Sequence, residues 1–449
     1  MSGKNEPKGW PGKIWLEGRT LTQVPDVEGQ GVFRSGPGGK KDTPVFHNTA
    51  MAPNRTRSVM LLSHALSNKW FSSKEINVLE GLGASGLRGR RWINEIDSNL
   101  LNNVNITVND LDPEATAWAQ YNNLLHPPKN SDSSNIEFVT GDFRKIVLSK
   151  RWNWIDIDPF GSPIPFLDSA IQSLRRVAVL EVSATDTAAL CGSSPTAGKR
   201  KYGITAVVDK ATHDTAIRVL LGQISMIAAK HSRIIEPLVS IFDDHHVRVS
   251  VLVKESPSKA SKSYENIGWR INSPTKSELE VSISSGLHPH DCPDLIQKRC
   301  MLPWSKPPNE ISKNRVSGPL WISTLGNPDV LKALSKLDAI NLCGISQNSD
   351  VVTKAGFNEE MIKNSNRQIE KSVFRFSEEA DVIDCLGLIM IDEIPTICDI
   401  GGPPSPKKLV GLLKSNGYRA SLTSMQKPAI RTDAPWNLIV KYSKEVLKK

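Results

Sequence analysis

The chain of 449 residues carries 56 Lys and Arg against 47 Asp and Glu, a formal net charge of +9. With 39% hydrophobic and 23% charged residues, and 30 Gly and 29 Pro, it is neither collagen-like nor low-complexity, classes that need roughly 25–30% Gly plus Pro or more. The longest apolar runs, around 177–180 and 385–391, fall far short of the ~18 residues of a membrane span, and Met1-Ser2-Gly3-Lys4-Asn5-Glu6-Pro7 lacks the apolar core of a secretory signal.

The first 45 residues, rich in Gly, Pro and Lys, are expected to wrap over the surface. A regular alternation follows: a helix over 59–65, a strand Ile76–Glu80, a glycine turn, and a helix Leu87–Glu95. A strand over 105–109, a helix Pro113–Leu125 and a strand over 136–140 come next. Then a strand over 154–157, a helix over 165–175, a strand over 177–182, and one or two late strands within 240–253. Strands alternating with helices predict a parallel sheet covered on both faces, an α/β fold. At 256–263 the Ser/Lys-rich composition reads as a linker, dividing the chain into 1–255 and 256–449. Further on, Ser405, Pro406 and Gly417 bracket a helix over 407–413. Strands at 418–424 and 436–442 then suggest a winged-helix-like unit in a C-terminal α+β domain.

Gly81-Leu82-Gly83-Ala84-Ser85-Gly86 is a G-x-G-x-x-G between a strand and a helix, where glycine permits a tight turn and close ligand approach. Asp110, ending the next strand, is placed to take ribose hydroxyls. Asp112 is the alternative, although a helix cap before Pro113 suits it better. Dinucleotide and S-adenosylmethionine sites share this arrangement. At the third strand end, Asp142 and Phe143 suit an adenine amine and its ring; a plain turn or cap is the competing reading of Asp142.

After the fourth strand comes Asp156-Ile157-Asp158-Pro159-Phe160-Gly161-Ser162-Pro163, at the carboxyl edge of the sheet where this fold does its chemistry. An arylamine nitrogen delocalises its lone pair into its ring and is a poor nucleophile. A carboxylate and a backbone carbonyl accepting its N–H bonds localise that pair, and an aromatic ring fixes the base. Asp158 is the expected acceptor and Phe160 the stacking ring. Asp156 is expected to point to the opposite face of the strand and not to reach the same nitrogen.

These segments, with Pro44-Val45-Phe46-His47-Asn48, Met51, Asn54-Arg55, the run 83–89, Val108-Asn109-Asp110, the run 184–192 and Arg200-Lys201-Tyr202-Gly203, lie in the order found in a known family. So do Asp244-His245-His246, Gly318-Pro319-Leu320-Trp321 and Ile430-Arg431-Thr432-Asp433. The chain resembles the tRNA (guanine-26, N2)-dimethyltransferases over about 44–436. The resemblance implies a class I (Rossmann-like) methyltransferase domain followed by a C-terminal domain peculiar to the family, S-adenosyl-L-methionine as cofactor, and tRNA as substrate. By the motif match Arg55, Gly83, Gly86, Arg88, Asp110, Asp142 and Phe143 contact the cofactor and Asp158 is the catalytic carboxylate. The two arginines can pair with the methionine carboxylate or fix the carboxylates around it. His47-Asn48-Thr49-Ala50 departs from the family's Tyr-Asn-Pro. The zinc-binding cysteine pairs of some members have no counterpart, and the run His288-Pro289-His290-Asp291-Cys292 lacks an evident fourth ligand, so no metal is expected.

Lys199, Arg200 and Lys201, beside Tyr202 and on the sheet edge expected for Asp158, are candidates for holding RNA phosphate. The net positive charge agrees with a nucleic-acid partner. Six widely spaced cysteines without C-x-x-C fit reduced thiols. A cytoplasmic monomer acting on tRNA, not on DNA or at a membrane, is therefore expected. A Rossmann dehydrogenase, an N6-adenine DNA methyltransferase and a non-catalytic RNA-binding subunit are the rivals.

Overall fold

β-Branched and aromatic residues at 76–80, 104–110 and 152–157 make largely buried strands, because helices cover both faces of a parallel sheet. The computed structural model describes residues 6–26, 43–128, 135–243, 245–288, 298–312, 314–426 and 428–448. Two compact units divide the chain. Unit 1 comprises 1–182 and 333–374, and unit 2 comprises 183–332 and 375–449. The compact units therefore do not follow the division expected at residue 255.

In unit 1, β1 (Lys13–Glu17) and β2 (Thr20–Val24) form an antiparallel hairpin. The long helix α1 (Ala52–Ser67) starts seven residues earlier than its apolar pattern suggested, because Pro53 suits a first turn. Then follow β3 (Ile76–Glu80), α2 (Leu87–Glu95), β4 (Val104–Asp110), α3 (Pro113–Leu125), β5 (Asn135–Thr140), α4 (Phe143–Val147), β6 (Trp152–Ile157), α5 (Ile164–Ser173) and β7 (Leu174–Ala184). Arg175 belongs to β7 and not to the preceding helix.

The strands pair in parallel in the order β5-β4-β3-β6-β7. The chain moves from β3 to β4 on one side and reaches β6 on the other, so β3 flanks the topological switch point, the ligand crevice of such sheets. Register sets Glu80 opposite Asp156 and Asp110 opposite Thr140, so the functional strand ends are level. Val78, Leu79, Trp154, Ile155 and Ile157 are fully buried beneath them. Segment 333–374 adds helices to this unit: Ile345, Val352 and Ile362 pack on Leu16 and Leu21 of the hairpin. Arg57 on α1 donates to the Ser372 carbonyl at 2.9 Å.

Unit 2 contains α6 (Pro195–Tyr202), α7 (Thr212–Lys230), and two late strands, β8 (Arg233–Asp243) and β9 (His246–Glu255), paired antiparallel. The expected linker at 256–263 is ordered, with a helical turn Pro257–Ala260 and a 3-10 turn Ser263–Asn266. A small sheet follows in the order β11-β10-β12, from β10 (Ile267–Asn272), β11 (Arg299–Pro303) and β12 (Val316–Trp321). A second three-stranded sheet, β13-β15-β14, combines β13 (Leu388–Met390), β14 (Ala420–Leu422) and β15 (Ala429–Thr432), with α8 (Pro406–Ser415) before β14.

The strand expected at 436–442 needs correction. Trp436–Lys448 is helix α9, not a strand. Its buried residues Trp436, Ile439, Ser443 and Val446 recur every three to four positions, the helical period, with Tyr442 buried beside Ser443. The antiparallel partner of β14 is instead β15.

Candidate active site

The glycine loop leaves β3 and is tied to its neighbours by backbone. Gly81 N–H donates to the Asp156 carbonyl at 3.0 Å and Gly83 N–H to the Asn109 carbonyl at 2.7 Å. A Cβ on Gly81 would lie 2.4 Å from the Phe143 ring, one on Gly83 2.5 Å from Val108, and one on Gly86 2.9 Å from Ala119. Gly86 also has φ +67°. These glycines are demanded by the chain's own packing, which presses the loop flat across the strand ends. Asp110 is part of that support: its Oδ2 accepts Ala84 N–H at 2.8 Å and its Oδ1 accepts Asp112 N–H at 2.9 Å. Asp112 caps α3 by accepting Glu114 N–H at 2.9 Å.

Arg88, on the first turn of α2, is the centre of the site. Its Nη2 lies 2.5 Å from Asp158 Oδ2, its Nε 3.3 Å from Asp156 Oδ1, and its Nη1 donates to Asn54 Oδ1 at 2.8 Å. Asp156 therefore does not face away from Asp158. Residues two apart share a face of a strand, and both carboxylates converge on one guanidinium. Behind them Glu80 is buried, accepts Gly89 N–H at 2.9 Å, and lies 4.0 Å from Arg88 Nε. Burial pushes the Glu80 carboxyl up to about 8, against the pull of Arg88 and the Gly89 N–H.

Arg55 on α1 is equally committed. Its Nε and Nη2 clasp Glu17 at 2.6 Å each, and Nη2 also donates to the Asn48 carbonyl at 2.9 Å. Arg91 reaches Glu17 at 3.0 Å and Glu95 at 2.7 Å. Burial opposes charge on Glu17, yet Arg55 and Arg91 hold its carboxyl down at about 2. In this structure both candidate cofactor arginines fix the carboxylates around the site.

Asp142 caps α4 through Arg144 N–H at 2.9 Å and pairs with the Arg144 side chain at 2.6 Å. Hydrogen bonds from Arg144 hold its carboxyl down at about 2. Phe143 is buried against Gly81 and edge-on to Phe166 at 5.4 Å. It is a floor of the loop. Phe160, in contrast, is 58% exposed and meets Phe46 edge-to-face at 4.5 Å. Gly161, with φ +85°, turns the backbone behind it.

In unit 2, Lys199 and Arg200 are exposed on the last turn of α6. Lys201 pairs with Asp186 at 2.9 Å, and the Tyr202 hydroxyl donates to the other Asp186 oxygen at 2.6 Å. Tyr202 is buried, so it braces Asp186 and is not an open stacking ring. His290 and Cys292 lie outside the described residues. Among the described residues no group of three His, Cys, Asp or Glu is placed to hold a metal, and no helix is long and apolar enough to cross a membrane.

No role is assigned to Glu80 or Glu17 from the sequence, and Phe46 and Asn54 stand there only within the segments that resemble the family. Glu80 had a signal: an acid closing an otherwise apolar strand immediately before the glycine loop. Glu17 had none, since nothing local pairs it with Arg55, 38 residues on.

A parallel sheet with a glycine loop at its switch point, an acid ending the next strand, and an Asp-Pro-Phe at the fourth strand end define a class I methyltransferase fold. A family model described as N2,N2-dimethylguanosine tRNA methyltransferase matches residues 18–444. The chain belongs to that family. A protein of Methanobrevibacter smithii named tRNA (guanine(26)-N(2))-dimethyltransferase is 30% identical over 414 residues, covering 91% of this chain and 92% of its own. A protein of the same name from Pyrococcus abyssi is 28% identical over 414 residues, covering 89% and 92%. The solved structure of Trm1 from Pyrococcus horikoshii with S-adenosyl-L-methionine superposes with a TM-score of 0.70 at 23% identity, covering 95% of this chain and 98% of that one.

Proposed function

We propose that this chain transfers methyl groups from S-adenosylmethionine to the exocyclic N2 amine of a guanine in tRNA, guanine 26 by its family, giving N2,N2-dimethylguanosine. The observation that carries this reading is the Arg88-held Asp158 carboxylate next to the exposed Phe160 ring. The donor set fits the cofactor. Asp110 ends β4 as a ribose acceptor, Arg88 and Arg55 fix the carboxylates beside the cofactor site, and Asn109 Oδ1 is a buried acceptor without a hydrogen-bond partner. Gly83 and Gly86 shape the floor, with Asp142 and Phe143 at its adenine end. When bound, the cofactor supplies an electrophilic sulfonium methyl.

The residues supply the rest. Asp158 accepts an N–H of the guanine amine, which draws the nitrogen lone pair out of ring conjugation. Arg88 fixes the direction of that carboxylate through a charge-assisted pair. Phe160 stacks the base, which must leave its helix to reach the site. The proton released as the N–C bond forms passes to Asp158 or to water, and a second round on the monomethylated amine needs the same acceptor.

Lys199 and Arg200 hold RNA phosphate, Lys201 shares this role with its Asp186 pair, and residues 256–449 help to position the tRNA. The protein works as a cytoplasmic monomer. Incubating unmodified tRNA with the protein and S-adenosylmethionine, followed by nucleoside mass spectrometry, should yield dimethylguanosine. Absence of any methylated guanosine, or tight NAD binding without adenosyl-ligand binding, would refute the reading.

A further inference from the structure

Unit 2 carries an aromatic feature that methyl transfer does not use. Trp269 on β10 and Trp304, just after β11, stack with ring centres 5.6 Å apart and planes 10° from parallel. Tyr264 continues the row, 5.6 Å from Trp304 and tilted by 40°. The backbone fixes this order. Trp304 N–H donates to the carbonyl of Ile267, the first residue of β10, at 3.0 Å. Tyr264 sits in the 3-10 turn that leads into the same strand.

Exposure rises along the row: Trp269 is 7% exposed, Trp304 40% and Tyr264 48%. The inner ring belongs to the apolar core with Ile271 and Leu302, while Trp304 in the middle and Tyr264 at the open end of the row are substantially exposed. Lys259 and Lys262 precede Tyr264 in successive turns, closed by Lys262 N–H to Lys259 carbonyl and Glu265 N–H to Lys262 carbonyl, 3.0 Å each. Lys306 closes the turn that holds Trp304, donating to the Pro303 carbonyl at 3.0 Å. All three lysines are exposed. Glu265 is the one acid within 256–266 and 304–306. Flat rings flanked by excess cations complement a base with its phosphates better than they complement a protein surface.

We propose that the Tyr264–Trp304 face is a stacking platform for an unpaired base of the tRNA other than the methylated guanine, with Lys259, Lys262 and Lys306 on the adjoining phosphates. The proposal rests on tRNA being the substrate and adds a binding surface to that reading. Stacking accepts any base, so the platform recognises an unpaired position in the RNA fold and not a particular letter.

The test uses the full chain and measures affinity for tRNA, and for a fully paired RNA duplex, from 50 to 200 mM salt. Tyr264→Ala should raise Kd for tRNA roughly 5- to 150-fold, the range of one base–ring stack, and leave duplex affinity unchanged. Tyr264→Phe keeps the ring and should bind as the parent does. Replacing Lys259, Lys262 and Lys306 by Gln should reduce the slope of log affinity against log salt by about 2–3. This triple variant leaves the rings in place and decides the question if Tyr264→Ala misfolds. Parental tRNA affinity in Tyr264→Ala, equal losses for tRNA and duplex, or an unchanged salt slope would each overturn the platform while the substrate reading stands. Failure of the parent chain to bind or methylate tRNA would overturn both.

Discussion

Asp158 shows how far one residue can be read from its neighbours. Its carboxylate, its Pro and its ring follow from a short motif, whereas its pairing with Arg88, 70 residues away, exists only after folding. Asp156, two residues earlier, shares its side of the strand and meets the same guanidinium, contrary to the expectation that it faces away. Replacing Asp158 with Ala removes the amine acceptor but leaves Arg88 its bonds to Asp156 and Asn54. Methyl transfer should fall roughly 10²–10³-fold, as for the loss of one preorganised electrostatic group, with tRNA and cofactor still bound. Asp158→Asn keeps an acceptor oxygen and should retain more activity than Ala; single-turnover assays compare the two. Near-parental turnover of a folded Ala variant would move the chemistry to Asp156 or Asp186.

Glu80 makes a separate prediction at this scale. Its carboxyl is raised from 4.5 to about 8 in the folded chain. The folded state therefore binds more protons than the unfolded state between those values, and this group's contribution to stability falls as pH rises from 4.5 to 8. Glu80→Gln abolishes that dependence. Urea midpoints measured from pH 5 to 8 should show the variant gaining on the parent as pH increases. Parallel curves would show that Glu80 ionises normally.

Among the elements, the strand–loop–helix around β3 was the most legible, with Ile76–Glu80 and Leu87–Glu95 bounded as the apolar pattern required. The purpose of its glycines was not. The sequence suggests room for a ligand, but the crowding atoms are Phe143, Val108 and Ala119 of the chain itself. Gly83→Ala should push the loop off β4, cost about 1–3 kcal/mol as overpacking does, and weaken S-adenosylhomocysteine binding in calorimetry. Unaltered binding would mean that the loop tolerates a shift. The final helix is illegible for the opposite reason. Val440 and Tyr442 in the run 436–442 favour strand locally, and only the buried spacing out to Val446 reveals the helical face.

At the scale of the molecule, domain order was the least legible property. Composition marks a boundary at 256–263, yet the unit containing the candidate active site draws 333–374 from beyond it. Nothing local tells Ile345, Val352 and Ile362 that their partners are Leu16 and Leu21. A chain ending at residue 255 leaves those two leucines uncovered and Arg57 without the Ser372 carbonyl. It should melt well below the full chain and bind S-adenosylhomocysteine poorly; a melting temperature equal to that of the full chain would make 333–374 dispensable. The same discontinuity governs how the protein is made. The hairpin at 13–24 leaves the ribosome early, but its covering helices end only at residue 372. At about 5–20 residues per second, the nascent hairpin waits roughly 20–70 s with an apolar face open, a window in which chaperones have something to hold.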